Sequence, residues 1–189
     1  MQKIWQMWAG ALSKEQVNNI IQECEYYQPQ EAVVGDTDGK IKKTVRSSEV
    51  RWVDPNDQNS LFIKHLIMHY ANHANRQAFG VDINDVYDIQ YTIYDAKDDG
   101  HYDWHFDTFW GNESCNDRKL SVTIQLSDGK DYQGGDFILD PQYEQPNAKD
   151  LRTLGTVLVF PSPIRHKVEK VTKGIRKSLV AWIEGPKWK

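Results

Sequence analysis

The chain has 189 residues, with 23 Lys and Arg against 27 Asp and Glu, for a net charge of -4. That length suffices for one domain with a real core, and that charge balance speaks against a generic nucleic-acid binder. No run approaches the roughly 18 apolar residues of a membrane span, and no charged start followed by an apolar stretch reads as a leader.

Two cysteines, Cys24 and Cys115, match no disulfide framework or zinc spacing and suit a reducing compartment. The expectation is a cytoplasmic protein with no membrane and no nucleic-acid partner. Charge is unevenly spread: residues 80–150 are mainly acidic and residues 151–189 mainly basic. Either the two halves attract each other within one fold, or a basic strip faces an anionic ligand. No repeat or linker is visible, so residues 1–189 read as a single domain.

Ser13 and Gln16 form a capping box, and Val17, Ile20, Ile21 and Cys24 follow at helical spacing until Pro29 stops the helix. Asp36-Thr37-Asp38-Gly39 reads as a hairpin turn, and Val45, Val50, Trp52 and Val53 as short extended pieces. A second helix is expected from about Ser60 to Phe79, with Ile63, Leu66, Ile67, Tyr70, Ala74 and Ala78 on one face.

From Val86 the period changes to two. Tyr87, Ile89, Tyr91 and Ile93 share one side of a strand, and Leu120 to Leu126 alternates as well. Phe137–Leu139, Thr156–Phe160, His166–Val171 and Ser178–Ile183 complete the set, with Lys173-Gly174 as the last turn. Helices followed by six or more strands indicate a mainly β (α+β) fold: an antiparallel jelly roll with its helices packed on one sheet.

His105-Phe106-Asp107 places an imidazole and a carboxylate at i and i+2, on the same face of an extended backbone. With His166, at the start of another strand, they make a candidate metal site. Two His and one carboxylate on one face of an octahedral ion leave three open positions, enough for a chelating keto acid and O2. A closed four-ligand zinc site lacks them. Arg176 follows at a spacing that returns it to the cavity of His166, where a guanidinium can pair bidentately with a carboxylate. Ser178 shares its face and can donate a hydroxyl to the same group.

His65, His69 and His73 repeat every four residues on the second helix. They read mainly as surface histidines, with a structural zinc site as the alternative. His101 is expected at the rim of the site. Trp104, Phe106, Phe109 and Trp110 are either packing residues or a lid that keeps water out.

Several segments carry a family resemblance: Tyr94, Gly100 to Asp107, Arg118 to Ser121, Gly134 to Phe137, Gly155 to Phe160, His166 to Val168 and Val171 to Trp182. From Val86 to Pro186 the chain resembles the prolyl 4-hydroxylase-like branch of the 2-oxoglutarate and Fe(II) dioxygenases. Arg46 to Trp52 is a fainter match to the family's segment before its helical layer. The resemblance implies a double-stranded β-helix with Fe(II) on His105, Asp107 and His166. It also implies 2-oxoglutarate with its far carboxylate on Arg176 and Tyr94, O2, and ascorbate as an accessory reductant. Tyr102, Arg118 and Trp182 match positions of the substrate groove.

A prolyl residue in a peptide or protein is the substrate the resemblance favours. Free amino acids, lysyl side chains and small metabolites stay open, as does a non-catalytic jelly-roll binding module. The sequence leaves the oligomeric state unspecified. Nucleic-acid demethylases of the superfamily resemble one another in a second Arg six residues after the first, where this chain has Trp182.

Overall fold

The computed structural model describes residues 4–32, 43–111 and 113–188. The turn expected at Asp36–Gly39 lies outside the described residues. None of the helices among the described residues is long and apolar enough to cross a membrane.

Helix α1 spans Lys14–Cys24 and starts as the sequence indicates. The Ser13 backbone N–H donates to Gln16 Oε1 at 2.8 Å, and the Gln16 N–H donates to Ser13 Oγ at 3.2 Å. Such caps are worth about 1 kcal/mol. Helix α2 spans Leu61–Ala74, then widens into a π-helical turn over Asn75–Phe79 that Gly80 ends in a left-handed conformation. The wider turn delays the apolar face by about one residue. Ala78, expected on that face, is therefore exposed, and Phe79 packs on the core instead. A short helix α3 spans Ala148–Leu151.

The described residues form twelve strands in chain order: β1 Gln6–Trp8, β2 Gln30–Glu31, β3 Arg46–Ser47, β4 Glu49–Val53, β5 Val86–Asp95, β6 His101–His105, β7 Asn116–Gln125, β8 Tyr132–Gly134, β9 Phe137–Leu139, β10 Val157–Pro161, β11 His166–Val168 and β12 Val171–Pro186. The larger sheet runs β1-β10-β7-β12-β5-β4-β2, with β8 paired to the start of β12, and the smaller runs β3-β6-β11-β9. Every pairing is antiparallel.

Strict alternation divides the central strands of the larger sheet. Ile89 and Tyr91 of β5, Leu120, Val122 and Ile124 of β7, and Leu179, Ala181 and Ile183 of β12 pack with Ile63, Ile67 and Ala71 of α2 and with Val17 and Ile20 of α1. This is the main core. Fully burying each large aliphatic side chain there stabilises by roughly 1.5–3 kcal/mol. The opposite face turns inward, toward the smaller sheet, and much of it is polar: Gln90 and Thr92, Ser121, Thr123 and Gln125, Arg176 and Ser178 are all buried. The helices thus secure one face of the sheet and leave the other to form a polar interior.

Three local features depart from the expected pattern. Tyr87 is 63% exposed and Val86 enters the core in its place. The β5–β12 register slips there, so that Trp182 faces Asp88 while Ile183 faces Val86, and this bulge flips the alternation. Lys173-Gly174 is not a chain reversal. The break falls at Glu169-Lys170, and β12 continues through Gly174 at φ 74°. Its first part pairs with β8 and its later part lies between β5 and β7. A Cβ at Gly174 would overlap the Asp131 carbonyl oxygen, which requires glycine at this bend. Finally, β6 bulges opposite Lys167, with His166 opposite His105 but Val168 opposite Tyr102. Side chains three apart, Tyr102 and His105, thereby both turn inward.

Candidate metal centre and its cavity

His105 ends β6 and His166 begins β11, and the two are direct cross-strand partners. Asp107 lies just past β6, where its backbone N–H donates to the Ser162 carbonyl at 3.1 Å. His105 Nε2 lies 3.7 Å from Asp107 Oδ1, and His166 Nε2 lies 3.5 Å from Asp107 Oδ2. One donor atom from each residue falls within 4.8 Å of the others, the one such group of three among the described residues. The His65, His69, His73 ladder gathers no comparable group. His73 packs its ring edge against Trp8 and His69 packs against Tyr70.

Hydrogen bonds set the ring tautomers. His105 Nδ1 sits 2.8 Å from the Asp103 carbonyl and His166 Nδ1 sits 2.9 Å from the Ile164 carbonyl. A carbonyl only accepts, so each Nδ1 carries the proton and each Nε2 presents a lone pair to the shared space. Burial, then the neighbouring His166, push the His105 imidazole down to about 3, which keeps it neutral at pH 7. Burial works against the Asp107 carboxylate, but His166, His105, the Ser121 hydroxyl and Arg118 outweigh it and hold the group below the ordinary carboxylate range. Two imidazole Nε2 atoms and one anionic carboxylate on one side suit a divalent cation with open positions. The donor set therefore fits Fe(II).

The three residues line a cavity of about 170 Å³ between the two sheets. Arg176 of β12 reaches the same cavity and is only 4% exposed. Its cross-strand partner is Tyr94, whose ring lies 5.6 Å from the guanidinium carbon. Its one hydrogen bond among the described residues is to Ser178 Oγ at 3.5 Å, and no carboxylate pairs with it there. Gly135 makes room for it, since a Cβ at that position would stand 3.2 Å from Arg176 Cδ.

The three candidate groove residues also line the cavity, each already in contact with a neighbour. Tyr102 stacks on His105 with ring centroids 3.5 Å apart. Trp182 is 6% exposed, lies under the Arg118 guanidinium at 4.0 Å, and has no acceptor for its buried Nε1–H among the described residues. Arg118 donates to Asp88 Oδ2 at 2.7 Å. Phe106 and Phe109 form part of the wall and are half exposed, whereas Trp104 lies between Arg165 and Lys167, and Trp110 is exposed away from the cavity lining. His101 bridges the Asp99 and Thr44 carbonyls, outside the cavity lining.

Sequence reasoning missed three participants. Ser121 donates to Asp107 Oδ2 at 2.6 Å and lies 3.0 Å from the Ser162 hydroxyl, both buried. Ser121 sits at the inward parity of β7, which is a legible signal. Arg46 of β3 is buried in the cavity wall over Tyr102, 4.4 Å from the ring centre. The sequence marks its segment, but its long-range partner Gln90 is not predictable from local pattern.

Fold and centre together define a jelly roll built around an open, three-residue candidate metal site. A family model described as the 2OG-Fe(II) oxygenase superfamily matches residues 89–184. The chain belongs to that superfamily, whose members use Fe(II), 2-oxoglutarate and O2.

Among its relatives is a PKHD-type hydroxylase of Synechococcus sp. (strain CC9311), 36% identical over 95 residues, which cover 50% of this chain and 41% of that protein. Another, from Gloeothece citriformis, is 36% identical over 76 residues, 40% of this chain and 31% of that protein. The chain spans less than half the length of these curated relatives. Its fold is shared with a Pseudomonas putida prolyl-4-hydroxylase (TM-score 0.70, 19% identity, 98% of this chain and 94% of that one). It is shared too with a Trichoplax adhaerens prolyl hydroxylase solved with a hypoxia inducible factor peptide fragment (TM-score 0.72, 15% identity, 95% and 82%).

Proposed function

We propose that this chain is a 2-oxoglutarate-dependent hydroxylase acting on a prolyl residue of a peptide or protein. The observation that carries the cosubstrate assignment is Arg176: a guanidinium buried in the wall of the cavity that His166 also lines, with no carboxylate partner among the described residues. A dicarboxylic acid supplies the missing anion. Arg176 and Ser178 grip its far carboxylate, Tyr94 closes the pocket beside them, and His105, Asp107 and His166 hold the iron near its other end.

Bound Fe(II) supplies the oxidising chemistry, in which O2 and 2-oxoglutarate yield succinate, CO2 and one oxygen atom inserted into a substrate C–H bond. The protein positions and shields. Phe137 and Phe160 pack against the His166 ring at 5.5 and 4.9 Å and fix its orientation. Tyr102 does the same for His105. Trp182, Tyr102 and Arg118 line the substrate side, where flat rings suit a pyrrolidine. The prolyl assignment is supported by the resemblance to prolyl hydroxylases and by this aromatic wall.

The experiment is Fe(II)-dependent decarboxylation of 2-oxoglutarate across a panel of proline-containing peptides and free proline, with mass spectrometry of the products. An added oxygen atom on a peptidyl proline is expected. Oxygen added only to free proline would overturn the peptide assignment, and absence of any Fe(II)-dependent succinate would overturn the hydroxylase assignment.

A further inference from the structure

Two guanidiniums flank the substrate side of the cavity, and they differ in one respect. Arg118 has its charge met by Asp88 at 2.7 Å. Among the described residues, Arg46 does not have its charge met. It is only 7% exposed, and its Nε donates to Ser48 Oγ at 3.0 Å while its Nη2 donates to Gln90 Oε1, both neutral acceptors. Among the described residues no carboxylate forms an ion pair with it, and its Nη1 makes no hydrogen bond. Its guanidinium carbon lies 4.4 Å from the centre of the Tyr102 ring, which in turn stacks on His105 with centroids 3.5 Å apart, so contacts run from Arg46 through Tyr102 to the candidate metal site.

A buried cation held only by neutral groups is expensive unless an anion arrives. Arg176 presents the same situation, and 2-oxoglutarate relieves it there. One cosubstrate cannot serve both positions, because its far carboxylate is on Arg176 and its near end is at the metal. The remaining unmet charge on the cavity wall is available to the substrate. A phosphate, with up to two charges and three acceptor oxygens, asks for more than one cation. Of the other guanidiniums lining the cavity, Arg118 is already neutralised by Asp88 and Arg176 is taken by the cosubstrate. One cation with a free planar edge suits one carboxylate.

We propose that Arg46 is a specificity-determining residue that receives a substrate carboxylate, so that the substrate is an acidic one. This rests on the reading of the His105, Asp107, His166 and Arg176 site given above. Two sources share the chemistry: an acidic side chain next to the target residue, or the α-carboxylate of a target that is C-terminal or a free amino acid.

The test uses the full chain loaded with Mn(II) and 2-oxoglutarate, which binds without turning over, and isothermal titration with matched probes. Acetylated proline-centred pentapeptide amides carrying Glu or Gln on either side of the proline report the side-chain source. Acetyl-Ala-Pro against its amide, and L-proline against L-prolinamide, report the terminal source. At least one carboxylate probe is expected to bind tenfold or more tightly than its amide partner. Arg46→Gln should erase that preference and Arg46→Lys should keep part of it, with 2-oxoglutarate affinity unchanged in both. The proposal is overturned if no carboxylate probe outbinds its amide, or if the preference survives Arg46→Gln. Failure of the underlying site reading looks different: Mn(II) and 2-oxoglutarate would then not bind together at all.

Discussion

The Ser121 hydroxyl donates to Oδ2 of Asp107 at 2.6 Å, and both side chains are buried. One oxygen of the carboxylate is thereby fixed from behind, and Ser162 braces the Ser121 hydroxyl in turn at 3.0 Å. The strand β7 therefore controls how a residue beyond the end of β6 faces the two imidazoles.

Ser121→Ala should weaken Mn(II) binding by about 10–100-fold, the usual effect of losing a partner that orients a metal ligand. Circular dichroism and melting temperature should change little, because the substitution removes one oxygen at the cavity wall. Titration of Mn(II) by electron paramagnetic resonance checks this. An unchanged affinity would show that Asp107 is held by its backbone alone.

Arg176→Gln should raise the KM for 2-oxoglutarate steeply while leaving metal affinity intact. Truncating one partner of a buried charge-assisted pair costs roughly 2–5 kcal/mol. Uncoupled decarboxylation at varied cosubstrate is the measurement. A folded variant with unchanged KM would mean that another cation holds the carboxylate.

Asp107→Ala should abolish Fe(II)-dependent succinate production without unfolding the chain. Its carboxylate is buried against the grain of desolvation, and Asp107 belongs to none of the apolar core clusters. Comparing thermal melts with turnover separates the two effects, and substantial residual oxidation would contradict its role as a ligand.

Gly174→Ala should destabilise the fold by roughly 1–3 kcal/mol, the cost of forcing a side chain into a left-handed backbone conformation. The overlap with the Asp131 carbonyl adds to it. Because Arg176 lies just past this bend, 2-oxoglutarate affinity should fall together with the melting temperature. A stable variant with weakened cosubstrate binding would show that the bend serves the site alone.

Much of the fold was legible because the central strands alternate cleanly. In β7, Leu120, Val122 and Ile124 went to the helices while Ser121, Thr123 and Gln125 went inward, as a period of two dictates. The geometry that gathers His105, Asp107 and His166 was legible in part, since His105 and Asp107 are two residues apart. The pairing of His105 with His166 follows from β6 and β11 being neighbours. Where the period was interrupted, the pattern misled. The bulge at Tyr87, the π turn before Phe79 and the bend at Gly174 each insert a local irregularity that no hydrophobic period encodes. The unmet charge of Arg46 was invisible for another reason. It depends on which partners the fold brings near, and its contact Gln90 lies on a different strand far along the chain.

The most direct test is a crystal structure of the protein with Mn(II) and 2-oxoglutarate, with anomalous diffraction at the manganese edge. The account predicts one strong anomalous peak bound by Nε2 of His105, Nε2 of His166 and the Asp107 carboxylate, with the far carboxylate of 2-oxoglutarate on Arg176. Metal found only at His65, His69 and His73, or a cosubstrate carboxylate held away from Arg176, would contradict it.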